Sequence, residues 1–329
     1  MKKILHVVGG MNKGGTETML MNIYRKIDRY NIQFDFLYIT DEETYYDKEI
    51  KKLGGNIFRI DSLSKFNIDR MVNQIHDCIN QNGPYRAVHA HTLFNCGIAM
   101  KAAKKSGVDI RISHAHTTAD NEVGLVRKIY INLMRKLILD NSTNLLGCSD
   151  LAGEYLFGAE NIKSDKYTIF PNLISYENII DVNYEDVEKF RTENKLQKDD
   201  LVIGHIGTFK ESKNQKFLLK IVKVLKEKNK DAKLLLVGDG SMRDELETLC
   251  RDLDISDKVI FTGTRDDIDV ILNSMDVFVF PSIFEGLGLV LLEAQAAGIP
   301  CVVSEAIQPE ADLLCLPLLL FPHQKASPF

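Results

Sequence analysis

Short apolar runs rich in β-forming side chains recur along the chain and alternate with longer stretches whose apolar residues return every three or four positions. Ile4–Val8, Phe34–Ile39, Asn56–Ile60, Ala87–Ala90, Ile110–Ser113 and Asn144–Cys148 read as strands, and helical patterns fill most of the gaps. This alternation implies a parallel sheet covered by helices. Ser175 to Asp200 breaks it, being rich in Asn, Asp, Glu and Lys and poor in strand patterns, and predicts a linker with one exposed helix. The rhythm restarts at Leu201–Ile206 and continues through Leu234–Val237, Val259–Thr262, Val277–Phe280 and Cys301–Val303. With 329 residues, the chain exceeds the usual size of one core, so two α/β domains are expected. Each opens on a strand that runs into a glycine, a lysine-bearing loop and a helix. Ligands of open α/β sheets sit beyond the carboxyl ends of the strands, so two such domains facing each other would define a cleft.

Composition adds mainly exclusions. At 45% hydrophobic and 26% charged residues the chain is ordinary for a soluble globular protein, and a net charge of −5 gives no support to a general nucleic-acid binder. Cys78, Cys96, Cys148, Cys250, Cys301 and Cys315 are scattered and never form C-x-x-C, so reduced thiols in a cytoplasmic protein are expected rather than a disulfide scaffold or a zinc site. The apolar run after Lys2 and Lys3 stops at Val8, too short for a signal peptide, and no run of apolar residues is long enough to cross a membrane.

The segment FEGLGLVLLEAQAAGIP, from Phe284 to Pro300, sets Glu285 and Glu293 at the ends of an apolar run. A strand closing at Pro281-Ser282 and the helix formers after Gly288 place Glu285 on a loop and Glu293 inside a helix. A helix starting just after Glu285 would put Glu293 about 10 Å further along the axis, close to the span of a diphosphate with a sugar at either end. The helix start between them favours a phosphate. Read without a ligand, Glu285 is a first-turn acid and Glu293 a solvated helix residue.

Other strand ends offer matching chemistry. The first loop, GGMNKGGTETML, has neither G-x-G-x-x-G nor the lysine that a P-loop needs after its second glycine, which leaves Gly14 and Gly15 at a helix start as a phosphate approach or a plain turn. IGHIGTFKESKN brings Lys210 and Lys213 to the end of a strand, either able to neutralise a diphosphate. Gly238-Asp239-Gly240 closes another strand with Ser241 as the expected helix N-cap, and Thr262-Gly263 forms an edge suited to a nucleobase. His114 and His116 alternate at a strand end; no third metal ligand follows at a recognisable spacing, so a hydrogen-bonding histidine is the reading.

Taken in order, GGTE, SHAHT, GHIGTFKESKN, VGDGSMR, F-x-G-x-R-x-D and DVFVFPSIFEGLGLVLLEAQAAGIP resemble glycosyltransferase family 4, the group 1 glycosyltransferases of GT-B fold, over residues 1 to about 312. The subgroup most resembled contains bacterial capsular and exopolysaccharide transferases. The resemblance implies an acceptor-binding Rossmann-like domain over 1–172, a linker over 173–200, a donor-binding Rossmann-like domain over 201–312 and an atypical tail over 313–329. It implies that Glu285 contacts the donor sugar, Glu293 the ribose, the amides near Gly286 and Leu287 the diphosphate, Gly14 and Gly15 the phosphates, Lys213 the diphosphate and His116 the sugar. It also implies transfer of a hexose-type unit from a nucleoside diphosphate sugar to a glycan or polyprenyl-linked acceptor, with retention and without an essential metal or cofactor.

Two departures stand out. Thr208 occupies a position where the family commonly has Arg, so a hydroxyl replaces a bidentate charge. The tail LLCLPLLLFPHQKASPF lacks the expected helical pattern and resembles a truncated or frameshifted end. A nucleotide-sugar epimerase or hydrolase, or a nucleotide-binding module without turnover, would use many of the same residues. Finally, GLVRKIYINLMRKLILD, residues 124–140, sets Arg127, Lys128, Arg135 and Lys136 among apolar residues. It reads either as a core helix with snorkelling ends or as a helix resting on an anionic inner leaflet.

Overall fold

The computed structural model describes residues 1–61, 67–118, 124–308, 311–312 and 319–321. The chain divides into two compact units, Met1–Leu173 and Ile174–Phe329. The first holds strands β1 (Lys2–Val8), β2 (Ile32–Tyr38), β3 (Ile57–Arg59), β4 (Ala87–Ala90), β5 (Ile110–Ala115), β6 (Asn144–Gly147) and β7 (Tyr167–Ile169). The second holds β8 (Leu201–Ile206), β9 (Ala232–Val237), β10 (Val259–Gly263), β11 (Val277–Phe280), β12 (Cys301–Ser304) and β13 (Leu319–Phe321).

Every pairing between these strands is parallel, and helices occupy the crossovers, the Rossmann-like α/β architecture expected for each half. The first sheet runs β3-β2-β1-β4-β5-β6-β7 and the second β10-β9-β8-β11-β12-β13. Both orders reverse direction beside the opening strand of the unit, between β1 and β4 and between β8 and β11. Loops leaving the carboxyl ends of those two neighbours run to opposite faces of the sheet and leave a crevice between them. Sequence patterning locates the strands but misses β7 and β13, each three residues long.

The strands are buried on both faces. Leu5, Val7, Phe36 and Leu37 line the first core, and Leu234, Leu236, Phe278 and Phe280 the second, all fully or nearly fully inaccessible. Asp35, buried in β2, is stabilised by the Lys3 ammonium at 3.4 Å, the Tyr85 hydroxyl at 3.0 Å and the Asn56 amide at 2.9 Å.

The segment expected as a linker with one exposed helix carries two, Glu177–Ile180 and Tyr184–Glu193, and belongs to the second unit. Val187 and Phe190 are buried there. The Arg191 guanidinium donates to the Ser274 carbonyl at 2.8 Å, and the Asn273 amide to the Ile179 carbonyl at 3.2 Å. Of the tail, the described residues 319–321 form β13, parallel to β12; the rest of the 313–329 segment lies outside the described residues.

Candidate functional site

In the second unit the candidate chemistry collects on the loops after β8 and β11, at the reversal of strand order. The β8 loop passes exposed Thr208 and Lys210 into a single 3-10 turn, Glu211–Lys213. Asn214, left-handed at φ 55°, then starts the helix Gln215–Glu227. The β11 loop runs from Pro281 to Gly288, and the helix Leu289–Ala296 follows. The Ile283 amide donates to the Ser212 carbonyl at 2.8 Å, and the Asn214 side chain to the Pro281 carbonyl at 3.3 Å, which ties the two loops together. From beyond, the Ser304 hydroxyl donates to the Ser282 carbonyl at 2.6 Å and the Gln308 amide to the Glu285 carbonyl at 3.3 Å.

Across this seam the Lys213 ammonium pairs with the Glu285 carboxylate, both side chains only 15% exposed, and sits 5.0 Å from the centre of the Phe280 ring. Beneath them His205 is wholly buried. Its Nδ1 donates to the Val279 carbonyl at 3.0 Å, while the Gln215 amide faces its Nε2 at 3.4 Å and donates to the Thr208 carbonyl at 3.0 Å. Burial pushes the His205 pKa down to about 4 against the Val279 carbonyl, and Lys213 adds to the depression, so the ring is neutral at pH 7. His205 and Gln215 thus hold the base of the lysine loop, a role the sequence did not suggest.

The helix begins at Leu289, not directly behind Glu285, so Glu293 stands about 6 Å along the axis from the first helical residue. The two acids are therefore separated by a turn, with buried Gly286, Leu287 and Gly288, plus half a short helix. The Glu293 carboxyl has no hydrogen-bond or ion-pair partner among the described residues, and burial raises its pKa to about 7. It is no solvated surface acid.

Gly263, expected at an edge suited to a nucleobase, bonds instead to the strand-end Gly238, whose amide donates to the Gly263 carbonyl at 2.9 Å. The Phe209 amide donates to the Asp239 carbonyl, also at 2.9 Å. Gly238 adopts φ 128°, and a Cβ there would lie 2.2 Å from the Gly207 carbonyl oxygen. These groups brace the β8 loop. Ser241 is not a helix cap, because the helix starts at Arg243 after Met242, whose amide bonds to the Phe209 carbonyl at 3.2 Å.

In the first unit Gly14 caps the helix Gly15–Lys26, as the loop predicts. The Glu17 side chain folds back over that end: a Cβ on Gly14 would lie 2.3 Å from its Oε2. Burial raises the Glu17 pKa, opposed by its own backbone N–H. The helix end expected to meet phosphate is thus covered by a carboxyl of the same helix.

His116, just past β5, meets His91, just past β4, with Nε2 and Nδ1 2.8 Å apart. The other nitrogen of His91 lies 3.1 Å from His6 Nδ1, and His89 Nε2 lies 3.2 Å from His114 Nδ1. Alternation within each strand and the β1–β4 register, which pairs His6 with His89, turn all five imidazoles to one face. Burial is the main cause that lowers every one of their pKa values, to about 3 for His6 and His114, with neighbouring imidazoles adding for His6, His89, His91 and His116. All are neutral at pH 7, and each close pair shares one proton.

The further imidazoles for which linear spacing gave no sign come from the neighbouring strands. Their signal is a repeat: His89-Ala90-His91-Thr92 recurs as His114-Ala115-His116-Thr117 on the adjacent strand.

The helix Leu125–Asn141 buries Met134 and Ile138 but leaves Leu125, Val126, Ile129 and Leu133 exposed, the first two at 75% and 82%. Of its four basic residues, Lys128 and Lys136 are exposed. Arg127 stacks on Phe94 and Tyr130, and Arg135 donates to the Tyr155 and Leu156 carbonyls at 2.8 and 3.1 Å. The expected surface of four charges therefore reduces to two. The helix is neither wholly core nor uniformly basic.

Residues 186–316 match the family described as Glycosyl transferases group 1. Over 312 residues the chain is 39% identical to EpsF of Bacillus subtilis (strain 168), named as a glycosyltransferase, covering 94% of this chain and 81% of EpsF. It is 28% identical over 230 residues to the Escherichia coli UDP-Gal:alpha-D-GlcNAc-diphosphoundecaprenol alpha-1,3-galactosyltransferase, covering 67% of this chain and 58% of that enzyme. Among solved structures, Anabaena HepE in complex with UDP and glucose superimposes with a TM-score of 0.75 at 18% identity, covering 93% of this chain and 82% of HepE.

Proposed function

Because the chain belongs to the group 1 glycosyl transferases and is a glycosyltransferase, we propose that it moves a sugar from a nucleoside diphosphate sugar to a glycan or lipid-linked acceptor in cell-surface polysaccharide synthesis, with retention. The observation that carries this reading is the Lys213–Glu285 pair at the strand reversal, set before the start of the helix that holds Glu293. In the donor-free protein each charge serves as the other's counter-ion. An arriving diphosphate offers the ammonium a doubly charged partner, so Lys213 turns to phosphate and Glu285 is released to accept hydrogen bonds from sugar hydroxyls. The amides around Gly286 and Leu287 and the positive end of the following helix add to the field that stabilises a leaving diphosphate. Glu293 accepts from the ribose hydroxyls, and His116, on the first unit, is the residue assigned to the sugar.

Lys213 and the helix end supply the neutralisation that hard divalent ions give other transferases, so turnover is proposed to need no metal cofactor. The acceptor class rests on the Escherichia coli relative, whose name specifies a diphosphoundecaprenol-linked sugar. The exposed apolar half of the Leu125–Asn141 helix, with Lys128 and Lys136, supports peripheral contact with an anionic membrane from the cytoplasmic side.

A donor panel, UDP-sugars first, followed by nucleoside diphosphate release and product analysis, tests the reading. A new glycosidic linkage of retained anomeric configuration is expected. An epimerised or free sugar, or tight nucleotide binding without product, would overturn it.

A further inference from the structure

We infer that His91, His114 and His116 form a binding site for a transition-metal ion of the zinc class. Ligand nitrogens of these three residues lie within 4.8 Å of one another, on the carboxyl ends of two adjacent parallel strands. Tetrahedral zinc, with Zn–N bonds of about 2.0–2.1 Å, sets its ligand nitrogens about 3.3 Å apart. His91 Nδ1 and His116 Nε2 stand at 2.8 Å, so exchanging their shared proton for a metal needs an opening of about half an ångström.

Neighbouring imidazoles already orient two of the three ligands, while Nδ1 of His116 is a buried atom with no partner among the described residues. His6 Nδ1 faces His91 Nε2 at 3.1 Å, which leaves Nδ1 of His91 toward His116. His89 Nε2 faces His114 Nδ1 at 3.2 Å, which leaves Nε2 of His114, a buried atom with no partner among the described residues. Such outer hydrogen bonds fix the tautomer and ring plane of metal-bound histidines. Of the described residues a second triple, His6, His89 and His91, also brings three nitrogens together. Its His6 ring is packed 4.3 Å from Phe34 and 5.6 Å from Phe36, which hems it in. Each triple has one buried and two partly exposed members; the outer one is distinguished by lying at the carboxyl ends of β4 and β5, where a water can take the fourth position.

An all-imidazole donor set selects zinc, cobalt, nickel or copper and rejects magnesium and calcium, which require oxygen ligands. The site takes no part in holding the diphosphate, though it shares His116 with the sugar contact proposed above, and its test needs no glycosyl transfer. The untagged full chain, stripped with chelator, is titrated with Zn²⁺ by equilibrium dialysis and with Co²⁺ by visible absorption. One equivalent of tightly held Zn²⁺ and the intense bands of tetrahedral Co²⁺ are expected. His91→Gln and His114→Gln each weaken binding about tenfold or more. His76→Gln, whose ring bonds to Ser106 at 2.7 Å away from the cluster, leaves binding unchanged. No stoichiometric uptake, a Co²⁺ spectrum like that of the aqueous ion, or uptake indifferent to both His91→Gln and His114→Gln would overturn the inference. The spectrum of the unmodified chain decides even where a variant fails to fold.

Discussion

Lys213 and Glu285 form an ion pair largely shielded from water, so replacing each has a different consequence. Lys213→Ala removes the proposed diphosphate partner and is expected to weaken nucleoside diphosphate binding by about 1.5–3 kcal/mol in a calorimetric titration. Glu285→Gln removes the competitor for that ammonium; nucleotide affinity is expected to hold or rise while turnover falls, which separate measurement of Kd and kcat resolves. Glu293→Ala is expected to lose about 1.5–3 kcal/mol of nucleotide affinity. Glu293 also marks stability. Its proton is kept to about pH 7 in the folded chain, against 4.5 ordinarily, so ionisation penalises the native state increasingly as pH rises from 4.5 through 7. Glu293→Gln should therefore gain about 1–3 kcal/mol in urea unfolding at pH 8 and nothing near pH 4.5. Both glutamates are legible in one continuous stretch of sequence, because loop and helix are local. The pairing of Glu285 with Lys213 is not, since the two are 72 positions apart and meet only through strand order.

Among the elements, the loop after β8 shows how narrow the backbone tolerances are. At Gly238 a methyl group would face the Gly207 carbonyl rather than a yielding side chain, and φ is already in a region unfavourable to other residues. Gly238→Ala is expected to cost about 1–3 kcal/mol of stability and to weaken nucleotide binding with it, both read in thermal melts with and without UDP. The Leu125–Asn141 helix supports a different expectation. Lys128→Glu combined with Lys136→Glu should abolish salt-sensitive co-sedimentation with anionic vesicles and leave nucleotide binding unchanged; a protein that ignores such vesicles at low salt would refute membrane contact. Sequence periodicity finds this helix, but it cannot say which arginines turn inward, because Arg127 and Arg135 are claimed by aromatic rings and carbonyls of other elements. Among the three-residue strands it finds β3, within the apolar run Asn56–Ile60, but misses β7, which directly follows the polar Lys163-Ser164-Asp165-Lys166, and β13, which falls in the tail read as atypical.

For the whole molecule, the alternating pattern makes two parallel α/β units legible, because each strand and each helix announces itself locally. Strand order is not legible in this way. Chelation is expected to leave transferase turnover intact if, as proposed, Lys213 and the helix end carry the diphosphate charge; activity lost in chelator and restored by magnesium or manganese would refute this. The order of the second sheet also has a consequence for how the chain acquires its activity. β8 lies in the middle of that sheet, between β9 and β11, yet it is synthesised first, and β11 enters beside it only after β9 and β10 have been laid down on the other side. Until that insertion, β8 is an open edge and Lys213 has no counter-ion. During synthesis, assembly of the loops after β8 and β11 is thus a late, non-local event, slow in the way that distant parallel pairing is slow, and nucleotide binding by the growing chain is expected to report completion of the sheet rather than its beginning.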